Sequence, residues 1–199
     1  EAGALAALAA TVLVRTFLTP RVPAPRHLAP AALEEFAGVE DDLAALVRFP
    51  TVSWFEPERE DAAAFRALEE ELPRRFPAVF ARALRREAGD RAVLLEGAGS
   101  DASLAPLALC AHYDVVPAGE GWSRDPFSGA VEGGWVHGRG TQDTKETMTG
   151  ILAACERLAR SGFVPRRTVF LAFGGDEEVG GTRGAARMAA WFRESGVRP

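Results

Sequence analysis

The sequence predicts an α/β domain of three αβα layers around a mostly parallel central sheet, and three observations carry that expectation. Leu107-Ala-Leu-Cys-Ala111 and Thr168-Val-Phe-Leu-Ala-Phe173 are short unbroken apolar runs, the pattern of strands buried on both faces. Thr141–Arg160 places Met148, Ile151, Leu152, Cys155 and Leu158 on one side of a helix. Thr182–Glu194 then supplies a second helical stretch. Strand, helix, strand, helix in that order favours parallel strands joined by crossover helices.

Taken from the N-terminus, Ala2 to Val14 is an uncharged, almost wholly apolar stretch, closed by Arg15 and followed by Phe17 and Leu18. A membrane span needs roughly 20 such residues, so this run fits the core of a signal peptide or a trimmed anchor. The other reading is an ordinary Ala/Leu helix packed on the domain. Residues 1–18 are therefore expected to be a signal or anchor remnant, with further residues ahead of Glu1. Entry into the secretory pathway follows, ending outside the cell, on a membrane, or in a vacuolar or lysosomal lumen. Residues 19–30 hold four prolines without apolar periodicity and read as an extended linker.

The catalytic-type domain is expected over 31–199. Ala31–Val47 reads as an amphipathic helix that ends before Pro50. Asp61–Leu72 is a second helix, with Asp61 as its N-cap and Pro73 at its end. Val79–Leu84 and Ala92–Glu96 look like strands joined through Gly89-Asp90. The stretch Gly196-Val-Arg-Pro199 reads as the lead into another strand, so the chain is expected to be part of a longer domain.

The 199 residues are 47% hydrophobic, enough for a core, and their net charge of -5 gives no electrostatic reason to expect nucleic acid. Two cysteines without C-x-x-C spacing are too few for a disulfide scaffold, and both Cys110 and Cys155 are expected to be buried free thiols. Lys145 is the only lysine, and it falls inside the central polar motif.

Chemistry concentrates in three motifs placed where strands or turns run out. They are His112-Tyr113-Asp114, Gly138-Arg-Gly-Thr-Gln-Asp143 and Asp176-Glu177-Glu178, together one imidazole and five carboxylates. Nitrogen and oxygen donors without thiolates suit zinc, manganese or cobalt at a catalytic centre better than a structural zinc site. Asp114 lies two residues beyond His112, on the same side of an extended chain, where its carboxylate can brace the imidazole. Asp143 opens the long helix; helix capping explains it as well as metal binding does. Glu177 and Glu178 follow a buried strand and are framed by glycine pairs. One can bind metal while the other serves as general base. The G-x-G-x-x-G and P-loop spacings are incomplete and no G-x-S-x-G occurs, so nucleotide binding and a serine nucleophile are disfavoured.

Leu109–Pro117, Gly138–Lys145, Asp176–Glu178 and the loop Glu120–Gly129 resemble the co-catalytic zinc aminoacylase/carboxypeptidase family, within it the carboxypeptidase S branch. The resemblance covers about residues 31–199. It implies two zinc ions in the full-length protein, with His112 a terminal ligand of one, Asp143 bridging, and Glu178 a ligand of the other. Glu177 would be the general base, Asp114 the residue orienting His112, and the Asp143–Thr144 peptide cis. It also implies a further acidic ligand, a histidine and a lid or dimerisation domain beyond residue 199. These residues alone are then about half of a dinuclear site, inactive by themselves, with homodimerisation left to the absent domain. Thr144 departs from the branch, where a second aspartate is common.

The function implied is zinc-dependent hydrolysis of the amide bond in N-acyl, and specifically N-fatty-acyl, amino acids, with the reverse condensation open. Two alternatives stand beside it: a carboxypeptidase acting on short peptides, and an inactive truncated binding module.

Overall fold

The computed structural model describes residues 2–19 and 36–199. Its contacts divide the chain into two units, residues 1–35 and 36–199. In the first, α1 (Ala2–Leu18) carries exposed Leu5, Leu8, Val12 and Phe17. No helix among the described residues is long and apolar enough to cross a membrane. Most of the expected linker, and the first residues of the helix expected from Ala31, lie outside the described residues.

In the second unit, α2 (Val39–Val47) opens with Glu40, Asp41 and Asp42, acids that suit a helix N-terminus, and buries Ala44 to Val47. The next helix, α3 (Ala62–Arg75), starts where its cap dictates: the Asp61 carboxylate accepts from the Ala63 and Ala64 amides at 2.9 and 3.3 Å. It runs on through Pro73 instead of ending there. The stretch expected as a strand from Val79 is instead α4 (Pro77–Arg82). Pro77 suits a first helical position, and the buried Glu156 carboxylate accepts from the Ala78 and Val79 amides at 3.2 and 2.9 Å. That cap comes from a helix far away in sequence, so no local window contains it. The strand begins only at β1 (Leu84–Arg86), followed by β2 (Ala92–Gly97).

β3 (Leu107–His112) precedes a small hairpin that the periodicity did not suggest, β4 (Ala130–Glu132) with β5 (Trp135–His137). Its turn, Gly133-Gly134, has φ of 59° and 81°, as a two-residue hairpin requires. Then come α5 (Lys145–Arg160), β6 (Val169–Gly174) and α6 (Ala185–Glu194).

The main sheet runs β1-β2-β6-β3. Its β3–β6 ladder is parallel as expected, but β1–β2 and β2–β6 are antiparallel, so the described sheet is mixed. The Gly89 turn makes β1 and β2 a hairpin, and a hairpin cannot be parallel. Alternation along the strands gives two cores, one per face. Val93, Leu95, Leu171 and Phe173 pack with Leu46, Phe65, Leu68, Met148 and Leu152 from α2, α3 and α5. Leu94, Phe170 and Ala172 pack with Met188, Trp191 and Phe192 of α6. Helices on both faces complete the three layers.

Cys110 is exposed, contrary to the expectation of burial, because β3 is the sheet's edge among the described strands and α6 lies over β2 and β6. Cys155 is half-buried, and burial pushes its thiol pKa up. Thiolate is the reactive form, so Cys110 is expected to take up iodoacetamide well before Cys155. Peptide mass mapping that finds both labelled at one rate would contradict this.

Lys145 is fully buried at the start of α5, and its ammonium donates to the Leu46 and Phe49 carbonyls at 3.0 and 2.7 Å. Those carbonyls close α2 and the turn after it, and they also accept from the Phe49 and Thr51 amides at 3.3 and 2.9 Å. Burial lowers the Lys145 pKa to about 7, opposed in part by Asp114. Lys145→Met is expected to cost about 1–3 kcal/mol in urea unfolding, two lost hydrogen bonds at roughly 0.5–1.5 kcal/mol each. Unchanged stability would mean the tie contributes nothing.

Candidate metal centre

The centre forms where β3 and β6 end side by side, with His112 in register with Gly174. One residue on, the Tyr113 amide donates to the Gly174 carbonyl at 2.8 Å, and the buried Tyr113 hydroxyl donates to Glu69 at 2.8 Å. A Cβ at Gly175 would lie 2.6 Å from Tyr113 ring atoms, so only glycine lets the two strand ends approach this closely. This contact brings the His112 and Glu177 motifs together.

Asp114 is completely buried, and its carboxylate joins those motifs directly. Oδ1 accepts from the Glu177 amide at 3.0 Å and lies 3.3 Å from His112 Nδ1. Oδ2 accepts from the Glu178 amide at 3.1 Å and from the Ser53 hydroxyl at 2.7 Å. Burial raises its pKa, but His112, Ser53 and the two amides outweigh that and hold it below the usual carboxylate range.

With Nδ1 turned to Asp114, His112 presents Nε2 outward, 3.1 Å from Asp143 Oδ1 and 3.6 Å from Glu177 Oε2. Burial lowers the His112 pKa, and Asp114 followed by Glu177 more than offset this, raising it to about 9. Asp143 sits just ahead of α5 with its side chain 78% exposed, and the Asp143–Thr144 peptide is cis, as the resemblance implies. Glu177 and Glu178 lie in a short 3₁₀ turn, Glu177–Val179. Buried Asp176 closes the loop behind them, accepting from the Arg183 and Gly184 amides at 2.6 and 2.9 Å.

One donor atom each from His112, Asp143 and Glu178 falls within 4.8 Å of the others. Burial first, and then the Asp143 carboxylate, push the Glu178 pKa up. A divalent cation among these donors would offset that crowding of like charge, and one imidazole with two carboxylates is a donor set that zinc accepts. The residue set therefore fits a metal ion.

The structure thus brings together all five residues singled out in the sequence: His112, Asp114, Asp143, Glu177 and Glu178. It adds Ser53 and Asp176, both buried. Asp176 was visible as part of its motif without a role, whereas Ser53 lies 61 residues before Asp114 with no acid or imidazole beside it. A cavity of about 350 Å³ lies elsewhere. Its lining includes Leu107 and Val169, which open the strands that His112 and Gly174 close.

Comparison with known proteins gives a consistent result. The family model for peptidase family M20/M25/M40 matches residues 108–198. The N-fatty-acyl-amino acid synthase/hydrolase PM20D1 of Xenopus tropicalis is 36% identical over 202 residues, 98% of this chain and 39% of that protein. Carboxypeptidase S of Saccharomyces cerevisiae is 36% identical over 136 residues, covering 65% of this chain and 24% of its own length. The solved M20 family metallo-carboxypeptidase Sso-CP2 from Sulfolobus solfataricus superposes with a TM-score of 0.60 at 23% identity. It covers 78% of this chain and 34% of its own, a likeness of fold. The chain spans two fifths or less of the length of these relatives.

Proposed function

We propose that this chain, whose residues 108–198 match the model for peptidase family M20/M25/M40, carries the water-activating part of a zinc-dependent amide hydrolase of that family. The observation that carries the reading is the convergence of His112, Asp143 and Glu178 with Glu177 at their edge. His112, Asp143 and Glu178 would hold the metal, and two zinc ions are the cofactor assigned to the whole protein. Bound zinc supplies Lewis-acid polarisation of the amide carbonyl and a lowered pKa for water.

The chain's own residues do the rest. Asp114 fixes the His112 ring by accepting from Nδ1–H, with its backbone carbonyl at 3.1 Å and its carboxylate at 3.3 Å, so that Nε2 is the nitrogen that would give up its proton to a metal. Through the Glu177 and Glu178 amides the same carboxylate holds both acids in register with that ring. Glu177 takes the proton from the attacking water and returns it to the leaving nitrogen, as a general base that turns into an acid.

The substrate we assign is an N-acyl, specifically an N-fatty-acyl, amino acid, with the reverse condensation as a second direction of the same chemistry. Similarity to a named N-fatty-acyl-amino acid synthase/hydrolase across nearly all of this chain supports that choice. Similarity to carboxypeptidase S supports the second reading, removal of C-terminal residues from short peptides. Comparing kcat/KM for an N-oleoyl amino acid with that for a blocked dipeptide separates them. The N-fatty-acyl substrate is expected to be preferred at least tenfold, and the opposite order would move the assignment to the peptidase.

We also assign the apolar α1 segment the role of a secretory signal or anchor, supported by its uncharged run from Ala2 to Val14. Expression with and without residues 1–18 in a eukaryotic cell tests it. Equal cytosolic retention of both forms would contradict it.

A further inference from the structure

We infer that Ser53 is a positioning residue of the metal centre, set in a brace that ties all three chemical motifs to one segment, residues 46–53. The inference rests on the metal-centre reading above and adds a residue that is neither acid nor imidazole.

The brace can be followed atom by atom. After α2, residues Thr51 to Ser53 run parallel to Tyr113–Val115. The Ser53 amide donates to the Val115 carbonyl at 3.1 Å, and the Val115 amide donates to the Thr51 carbonyl at 2.9 Å. The Thr51 hydroxyl adds a bond to the Tyr113 carbonyl at 2.5 Å. This short ladder fixes where Ser53 stands, and Ser53 is 2% exposed against a fully buried Asp114. Its hydroxyl then reaches Asp114 Oδ2 at 2.7 Å. At its other end the same segment is held by Lys145, which donates to Leu46 and Phe49 from a place two residues after Asp143.

The consequence follows from how Asp114 is satisfied. A buried carboxylate keeps its place only if its oxygens find donors. Oδ1 faces His112 and the Glu177 amide, while Oδ2 has the Glu178 amide and Ser53. Without the hydroxyl, Oδ2 keeps one donor, and three partners instead of four hold the carboxylate about its last torsion, which loosens it. Because Asp114 holds the His112 ring and the turn bearing Glu177 and Glu178, that loosening reaches a ligand from each motif at once. A serine whose role was packing alone would have no such reach.

The test is Ser53→Ala in the full protein, read by zinc affinity in competition with a chromogenic chelator and by amide hydrogen exchange in the zinc-free form. Zinc affinity is expected to fall about 10- to 100-fold, the range for partners that orient a metal-binding histidine. Exchange at the Glu177 and Glu178 amides is expected to quicken about tenfold or more, with exchange in β2 and β6 unchanged. Affinity within twofold of the parent, with exchange at both amides unchanged, would overturn the inference. If Ser53→Ala does not fold, Ser53→Cys decides, since it keeps the shape but donates weakly. Weaker zinc binding on an intact fold then supports the role, and unaltered binding overturns it. A parent protein that binds no zinc would sink the metal-centre reading instead, and the two amides in the zinc-free form would still report on Ser53.

Discussion

Glu177→Gln is expected to remove nearly all amide turnover while leaving zinc binding intact. Glutamine keeps the size of the side chain and its hydrogen-bonding shape but cannot take a proton at neutral pH. Glu177 Oε2 lies 3.6 Å from His112 Nε2, and its side chain is 59% exposed, so it borders the donor cluster and faces open space. Its backbone is held independently, by the hydrogen bond its N–H donates to Asp114 Oδ1. The substitution therefore leaves the turn, the His112 ring and Glu178 where they are. Loss of a general base costs about 10²- to 10⁴-fold, and the loss should fall on kcat with KM little changed. A variant within tenfold of the parent kcat would mean that another group takes the proton.

The second large effect is expected for Asp114→Asn. The carboxylate accepts from two backbone amides and the Ser53 hydroxyl while facing His112 Nδ1, all within the protein interior. An asparagine has one acceptor oxygen, and its NH2 would be turned toward a donor whichever way it is flipped. Breaking such a buried, charge-assisted set costs about 3 kcal/mol or more. Zinc affinity should fall with it, by about 10- to 100-fold, because the His112 ring loses its charged partner and keeps only the backbone carbonyl of residue 114 at 3.1 Å. The pH signature has a definite sign. Because the Asp114 pKa is lowered in the folded chain, its contribution is present above the ordinary carboxylate range, about pH 4, and is lost as pH falls through the folded value. The parent should therefore lose stability between pH 5 and lower values more steeply than Asp114→Asn does, measured by urea midpoints across that range. Parallel pH profiles would contradict the assignment.

The residues that carry chemistry were the most legible part of the chain. His112 and the Glu177-Glu178 pair announce themselves because apolar runs deliver them to strand ends, where α/β sheets place their sites, and Asp143 because it follows a glycine-bearing polar turn into the long helix. Asp114 was legible for half of what it does. A spacing of two puts it beside His112, but its bonds to the Glu177 and Glu178 amides depend on β3 and β6 being neighbours. Ser53 was not legible at all, since a hydroxyl in Thr-Val-Ser carries no pattern until the chain folds back along Tyr113–Val115.

The elements follow the same division. α3 is set by its local Asp61 cap and α5 by its apolar periodicity, and both appear close to where the sequence places them. α4 does not, because its first amides are satisfied by Glu156 from α5, 77 and 78 residues away. Cys110 shows the limit of reading burial from an apolar run. Leu107–Ala111 is apolar enough for a central strand, yet β3 is at the sheet's edge among the described strands, and that is a property of topology.

The claim on which the rest depends is that His112, Asp143 and Glu178 form one metal centre. The most direct measurement is zinc affinity of the protein and of its His112→Ala variant, by chelator competition at pH 7.5. The expected result is tight binding in the parent, weakened at least a hundredfold in His112→Ala. Equal binding in both, or none in either, would mean that these donors lie together without holding a metal.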